Sequence, residues 1–172
     1  MSTPTSIYTI LVGNSLSNFL AAFASAMVLI VGGFALAGLA IPLRAAAASF
    51  LILVLALLAF LSFGVLSAGF IMIFKRGNPI SYVFGWSSFF LGGIFFPVEI
   101  LPSQIRFISQ FLPATHATQA IRDLLLTGAP LKAVLPLAGN LCLFIIAVAP
   151  LGIIFFRFAV RRAKLQGSLI QF

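Results

Sequence analysis

The stretch IFFPVEILP, Ile94 to Pro102, lies where a long apolar segment ends and a more polar one begins. Two prolines, Pro97 and Pro102, flank Glu99, which is one of only two acidic residues in the chain. Proline interrupts a helix, and a carboxylate is costly in a hydrocarbon environment. The stretch therefore predicts the point at which a membrane helix meets the water layer, breaks and turns back as a partly re-inserted hairpin.

The composition of the chain predicts an all-α integral membrane protein, so we expect the lipid bilayer to be one of its partners. Hydrophobic residues make up 62% of the 172 residues, charged residues make up only 7%, and the mean hydropathy is +1.24. A soluble domain of this size needs far more charge to cover its surface. The sequence also lacks the alternation of polar and apolar residues that marks an outer-membrane barrel.

The ionisable residues argue against several other classes of protein. The formal net charge is +8, but the Lys and Arg residues are scattered or adjoin apolar segments, so we expect no nucleic-acid partner. His116 is the only histidine, and the two acidic residues cannot complete a metal site of several ligands with it. Cys142 is the only cysteine, so no intrachain disulfide can form. We expect neither a metal nor another cofactor.

Four apolar segments predict membrane crossings, each helical because lipid offers no water to peptide groups. They are Phe19 to Ile41, Ala45 to Phe74, Ile80 to Phe96 and Ala133 to Phe156. We expect a single domain over residues 1–172. Its parts would be an N-terminal segment at 1–18, a membrane region at 19–156 with an outer loop at 97–132, and a basic tail at 157–172.

The distribution of positive charges predicts the orientation of these crossings. Of the ten Lys and Arg residues, six fall on one side of the membrane and four on the other. The six are Lys75, Arg76, Arg157, Arg161, Arg162 and Lys164. This modest excess places both termini in the cytoplasm and the loop at 97–132 outside the cell. We expect a multi-pass protein of the cell membrane.

The outer loop is predicted to contain two short amphipathic helices, neither of which is long enough to span the membrane. In the first, Ile105, Ile108 and Leu112 share a face. Pro113 separates the two helices, and Thr115 is a candidate cap for the second. The apolar residues that share a face of the second helix are Ala117, Ala120, Ile121, Leu124 and Leu125.

The run LGGIFFPVEILPSQIRFISQFLPATHATQAIRDLLLTG, Leu91 to Gly128, resembles the signature region of type-2 ABC exporter permeases. The order of its features carries the resemblance: a glycine and aromatic helix end, FFP, an acidic residue, LP, an amphipathic piece, a second LP with Thr-His, and Arg. The resemblance implies short re-entrant helices outside the cell, between the last two membrane helices. The matching positions, expected to shape or gate this segment, are Pro97, Glu99, Pro102, Pro113, Thr115, His116 and Arg122.

Other positions refine this resemblance. The ending RRAK-x-x-G, which closes at Gly167, resembles the drug-exporter branch and implies a lipophilic, drug-like or lipid-linked substrate. Gln119 stands where many relatives have Glu. The family usually has six crossings, so the resemblance implies that the first two are missing here. The chain would then be either a shortened subunit or a fragment of a longer permease.

The expected function is a non-enzymatic permease subunit. The sequence contains no G-x-x-x-x-G-K-[ST] motif, so ATP hydrolysis would require a separate ABC ATPase chain. The permease would pair with a second copy or with a different permease. The alternative is a small structural or assembly protein of the membrane, or a non-functional fragment of a permease. The aromatic candidates for the substrate path, which packing between helices or against lipid also explains, are Phe89, Phe90, Phe95 and Phe96.

Overall fold

The computed structural model describes residues 7–38, 42–74, 79–95 and 97–165. Every regular element in these ranges is helical, which confirms the predicted all-α fold. The elements are α1 (Ile7–Ala37), α2 (Leu43–Phe74), α3 (Pro79–Leu91), a 3-10 turn (Val98–Ile100), α4 (Ser103–Ser109), α5 (Pro113–Leu125) and α6 (Leu131–Leu165).

The chain divides into two compact units, Met1–Leu43 and Arg44–Phe172. The first unit contains α1, whose stretch Leu16–Leu36 is long and apolar enough to cross a membrane. None of the described side chains of α1 is buried within the protein. Because these side chains are apolar on all sides, α1 is suited to contact lipid around its circumference.

Three helices in the described part of the chain are long and apolar enough to span a bilayer, and they match the first, second and last predicted crossings. The helix of the third predicted crossing is shorter than the sequence indicated. α3 ends at Leu91, and the backbone bends over residues 92–95, while Phe96 lies outside the described residues. Its 13 residues measure about 20 Å, against a hydrocarbon core of about 30 Å.

Glycines allow α2 and α6 to approach closely in the second unit. A Cβ atom placed on Gly152 of α6 would lie 3.1 Å from the carbonyl oxygen of Ser62 and 3.2 Å from the backbone nitrogen of Leu66. A Cβ atom on Gly69 of α2 would lie 2.9 Å from Cδ1 of Phe155. Such contacts between backbones are typical of helices that pack in membranes, where small residues replace large apolar ones at the interface.

α3 packs against α2 through two aromatic pairs and one polar pair. The ring of Phe84 lies edge-on to that of Phe60, with centroids 5.9 Å apart. The rings of Phe63 and Phe84 stack with their centroids 3.6 Å apart. The hydroxyl oxygens of Ser67 and Ser81 lie 2.7 Å apart, within hydrogen-bond distance. These contacts hold the first half of α3 against α2.

The main buried cluster combines residues of α2, α5 and α6. Its members are Ile52, Ala56, Ala117, Ala120, Leu124, Val134 and Leu141. The apolar face predicted for α5 thus supplies three of these residues, and Ile121 packs against the cluster. The face predicted for α4 behaves differently, because Leu112 is buried while Ile105 and Ile108 are exposed. The side chains of Ile105 and Ile108 are therefore available to contact lipid or another chain.

Candidate functional site

α3 ends in a bend built on two adjacent glycines. The backbone N–H of Gly92 donates to the carbonyl oxygen of Ser88 at 3.0 Å. A Cβ atom at Gly92 would clash with that oxygen and lie 2.9 Å from Cβ of Ala114 in α5. Gly93 has a φ of +76°, in the left-handed region that favours glycine. The two glycines therefore let the chain leave α3 in close contact with the start of α5.

Three side chains downstream of the bend contact the backbone carbonyls at the end of α3. The Ser109 hydroxyl donates to the carbonyl oxygen of Leu91, and Thr115 Oγ1 lies 3.4 Å from the same oxygen. Nη2 of Arg122 donates to the carbonyl oxygen of Gly93 at 2.9 Å. We call Ser109, Thr115 and Arg122 the carbonyl clamp. The last carbonyls of a helix have no partner within the helix. The clamp supplies partners for the carbonyl of Leu91, the last residue of α3, and for that of Gly93 in the bend beyond it.

The serine and threonine of the carbonyl clamp are buried, and hydrogen bonds connect them to each other. Ser109 has 0% and Thr115 has 3% of its surface exposed. Their hydroxyl oxygens are 3.1 Å apart, and Thr115 Oγ1 lies 2.7 Å from the carbonyl oxygen of Ser109. Burying a hydroxyl is costly unless it is hydrogen-bonded. The conformation of the bend is therefore stabilised by buried hydrogen bonds as well as by packing.

The prediction that Thr115 caps α5 is wrong. α5 begins at Pro113, its N-cap residue is Leu112, and no side chain caps it. Thr115 consequently lies inside the first turn, where its hydroxyl reaches back to Ser109 and Leu91. Ser109 was missed by the sequence analysis, because nothing in its local sequence distinguishes it from an ordinary surface serine.

The three signature prolines stand at the beginnings of helices. Pro97 precedes the 3-10 turn, Pro102 precedes α4, and Pro113 is the first residue of α5. Proline is tolerated there because the first N–H groups of a helix have no partner within the helix. Glu99 lies within the 3-10 turn, and its side chain is outside the described part of the structure.

His116 ties α5 to the turn that follows α4. Its Nε2 donates to the carbonyl oxygen of Gln110, 2.8 Å away. Its Nδ1 is buried and has no partner among the described residues. Arg106, one helix turn before Gln110, donates from Nη2 to the carbonyl oxygen of Leu101 at 3.3 Å. The signature residues His116 and Arg122, together with Arg106, thus bond to backbone carbonyls of residues 97–132 and of the α3 bend.

Three of the four candidate path residues meet at the end of α3. The ring of Phe89 lies edge-on to that of Phe95, with centroids 4.7 Å apart, and also edge-on to that of Phe90. Trp86 stacks on Phe90 at 5.6 Å. We call Trp86, Phe89, Phe90 and Phe95 the aromatic cluster. Between 45% and 60% of the surface of each residue is exposed. The second unit thus presents a continuous aromatic surface beside the glycine bend.

Comparison with known families identifies the class of protein to which this architecture belongs. Residues 1–154 match the family described as ABC-2 family transporter protein. The match covers most of the chain, and the chain belongs to this family of transporter membrane proteins, which confirms the resemblance seen in its signature region. No curated protein and no solved structure matches the chain significantly.

Proposed function

We propose that this chain is the membrane-spanning permease subunit of an ATP-driven exporter. The observation that carries the proposal is its membership of the ABC-2 transporter family over residues 1–154. The proposal assigns ATP hydrolysis to a separate ABC ATPase chain, and the sequence, which has no G-x-x-x-x-G-K-[ST] motif, fits that division. The permease would act as a homodimer or as a heterodimer with another permease.

The aromatic cluster is the surface that we propose as part of the substrate path. Aromatic rings offer large apolar contacts that do not depend on hydrogen-bond geometry, and their faces attract cations. Trp86 and Phe90 expose more than half of their surface, so a substrate can reach their rings. These properties suit a lipophilic or drug-like substrate, or the apolar part of a lipid-linked one.

Reconstitution with an ATPase tests this function. The chain would be co-expressed with an ABC ATPase encoded by an adjacent gene, purified as a complex and placed in lipid vesicles. ATP should then drive ethidium, a lipophilic aromatic cation, across the vesicle membrane. Replacing Phe90 with alanine should slow this transport several-fold and change the ATPase turnover stimulated by ethidium. Phe158 on α6 is a matched control, because it is 54% exposed and Phe90 is 53% exposed.

One outcome would contradict the permease function, and another would contradict the assignment of the substrate path. If the ATPase neither co-purifies with the chain nor changes its turnover in its presence, a structural or assembly role becomes the better explanation. If the complex transports ethidium and Phe90→Ala and Phe158→Ala slow it equally, the permease function stands and the aromatic cluster is not the path.

We also propose that both termini are cytoplasmic and that residues 97–132 lie outside the cell. The test uses single cysteines in a chain whose native Cys142 has been replaced with alanine. A cysteine replacing the exposed Ser103 should react with an impermeant maleimide in intact cells. A cysteine replacing Ser168 should react only after the cells are permeabilised. The reverse labelling would overturn this orientation.

A further inference from the structure

A pocket of about 620 Å³ opens between the end of α4, α5 and the first half of α6. Its volume lies within the range of about 300–1,000 Å³ that is usual for small-molecule sites. No residue of the aromatic cluster lines it. The polar residues of its lining are Arg106, Gln110, His116, Gln119, Asn140 and Thr115 of the carbonyl clamp.

The polar groups of this pocket match hydroxyl groups better than phosphate. Gln110, Gln119 and Asn140 each carry a carboxamide, which both donates and accepts hydrogen bonds, as a hydroxyl does. Phosphate sites normally draw on several cations or on clustered backbone N–H groups. Among the described lining residues, Arg106 is the one that carries a permanent charge. A head group with several hydroxyls therefore complements this set more fully than a bare anion.

The wall of the pocket that α6 supplies is apolar apart from Asn140, and α6 is a candidate membrane helix. Leu137, Leu143 and Phe144 share a face of α6 with Asn140, and they lie within the candidate span Leu131–Arg162. Leu143 is 67% exposed, so this face continues from the pocket to the surroundings of the helix. Lipid surrounds such a span in a bilayer. A molecule in this position would have its polar end in the pocket and its apolar end in the membrane.

We propose that this pocket binds the hydroxylated head group of a membrane lipid. The carboxamides of Gln110, Gln119 and Asn140 hydrogen-bond the hydroxyls, and the acyl chains run along Leu143 and Phe144. The bond from His116 to the Gln110 carbonyl fixes the turn that forms the rim of the pocket. The proposal does not depend on the proposed transport function, because lipid binding here requires neither ATP nor a partner chain.

Binding of single lipids to the purified full chain tests the proposal. The chain would be kept in lauryldimethylamine oxide, whose head group has no hydroxyl, and lipid adducts would be measured by native mass spectrometry. Phosphatidylglycerol and phosphatidylmethanol carry the same phosphate charge, but the glycerol head group adds two hydroxyls. We expect phosphatidylglycerol to bind at least about ten-fold more tightly than phosphatidylmethanol. This difference corresponds to the one or two hydrogen bonds that phosphatidylmethanol cannot form. A neutral glucosyl diacylglycerol should bind as tightly as phosphatidylglycerol.

Two comparisons decide the source and the chemistry of the occupant. Methyl glucoside has the same hydroxyls without a lipid tail, and we expect it to bind at least about ten-fold more weakly than the glycolipid because it buries far fewer methylene groups. Equal binding of methyl glucoside would identify a soluble sugar as the occupant and overturn the proposal. Equal binding of phosphatidylmethanol and phosphatidylglycerol would also overturn it, because charge alone would then explain affinity.

Matched substitutions locate the site. Gln119→Leu should weaken phosphatidylglycerol binding about five-fold through the loss of one hydrogen bond. Gln104→Leu makes the same chemical change at an exposed residue of α4 outside the pocket lining and should leave binding unchanged. Asn140→Leu, at an exposed position of α6, gives a second variant if Gln119→Leu does not fold. If both folded pocket variants bind phosphatidylglycerol like the parent chain, the proposal is wrong.

Discussion

Two helices of this protein, the apolar α1 and the more polar α5, reverse the arrangement expected in a soluble protein. α1 is apolar along the span Leu16–Leu36, and none of its described side chains is buried. α5 contains histidine, arginine, aspartate, glutamine and threonine, yet it contributes six of its 13 residues to the interior. In water, the apolar helix would be inside. In lipid, apolar side chains gain little by contacting protein, so burial follows small residues and polar bonding instead.

The two helices also differ in what stabilises them. α1 draws its stability from the bilayer around it and from its own backbone hydrogen bonds. α5 depends on specific neighbours, because Ala120 is fully buried in the cluster shared with α2 and α6, and Arg122 reaches the end of α3. We therefore expect equal chemical changes in the two helices to have unequal effects. The following substitutions test that expectation from the largest effect to the smallest.

Enlarging a small residue should give the largest difference. Ala120→Leu adds three carbon atoms at a position with 0% exposure and should lower the free energy of unfolding by about 2–3 kcal/mol. Ala22→Leu makes the same change at an exposed position of α1 and should alter it by less than about 0.5 kcal/mol. Thermal unfolding in detergent, followed by circular dichroism, measures both. A comparable loss at Ala22 would show that another surface covers α1 even in detergent.

Removing a hydroxyl should give a smaller difference. Ser109→Ala deletes a buried donor to the Leu91 carbonyl and should lower the free energy of unfolding by about 1–2 kcal/mol. Ser25→Ala in α1 removes a hydroxyl that donates to the carbonyl oxygen of Ala21 at 2.8 Å within the same exposed helix. That carbonyl can retain its backbone partner in the helix, so we expect almost no change. Equal melting temperatures for the two variants would remove the carbonyl clamp from the explanation of stability.

Adding a methyl group to glycine should give the smallest loss of stability in the second unit and a change of opposite sign in α1. Gly152→Ala places a Cβ atom against the backbone of α2 and should cost about 1 kcal/mol. Gly33→Ala in α1 meets nothing within 4 Å and should raise stability by about 0.5–1 kcal/mol, because alanine favours a helix. The same detergent melts distinguish the two. Stabilisation by both changes would mean that α2 and α6 do not pack as closely in solution as the glycine contacts indicate.

Hydropathy was sufficient to predict the membrane-spanning parts of α1, α2 and α6, because lipid requires apolar side chains throughout a span. It did not predict that α1 begins at Ile7, before the apolar span. The apolar face of α5 was also predictable, since the spacing of Ala117, Ala120 and Leu124 follows the helical period. These predictions depend on local sequence alone. They extend to the interruptions predicted at Pro97, Pro102 and Pro113, each of which stands where a new helical element begins.

The end of α3 could not be predicted in this way. Hydropathy continued the helix to Phe96, whereas the structure ends it at Leu91, where two glycines and side chains from much later in the chain determine the bend. Arg122 contacts the carbonyl of Gly93, a residue 29 positions away. A single sequence carries no local signal for such a pair. The resemblance to exporter permeases marked Arg122 and Thr115, but it gave no indication of which atoms they contact.

In the carbonyl clamp, side chains donate to main-chain carbonyls. This difference between donor and acceptor affects which sequence positions can vary. Every amino acid offers the same carbonyl oxygen, so the identity of residue 91 has no bearing on its bond with Ser109. The donors cannot be exchanged so freely, since few side chains reproduce the hydroxyls of Ser109 and Thr115 or the reach of Arg122. Among related permeases that keep this contact, we therefore expect the donor residues in α5 and at the end of α4 to be conserved and residue 91 to vary.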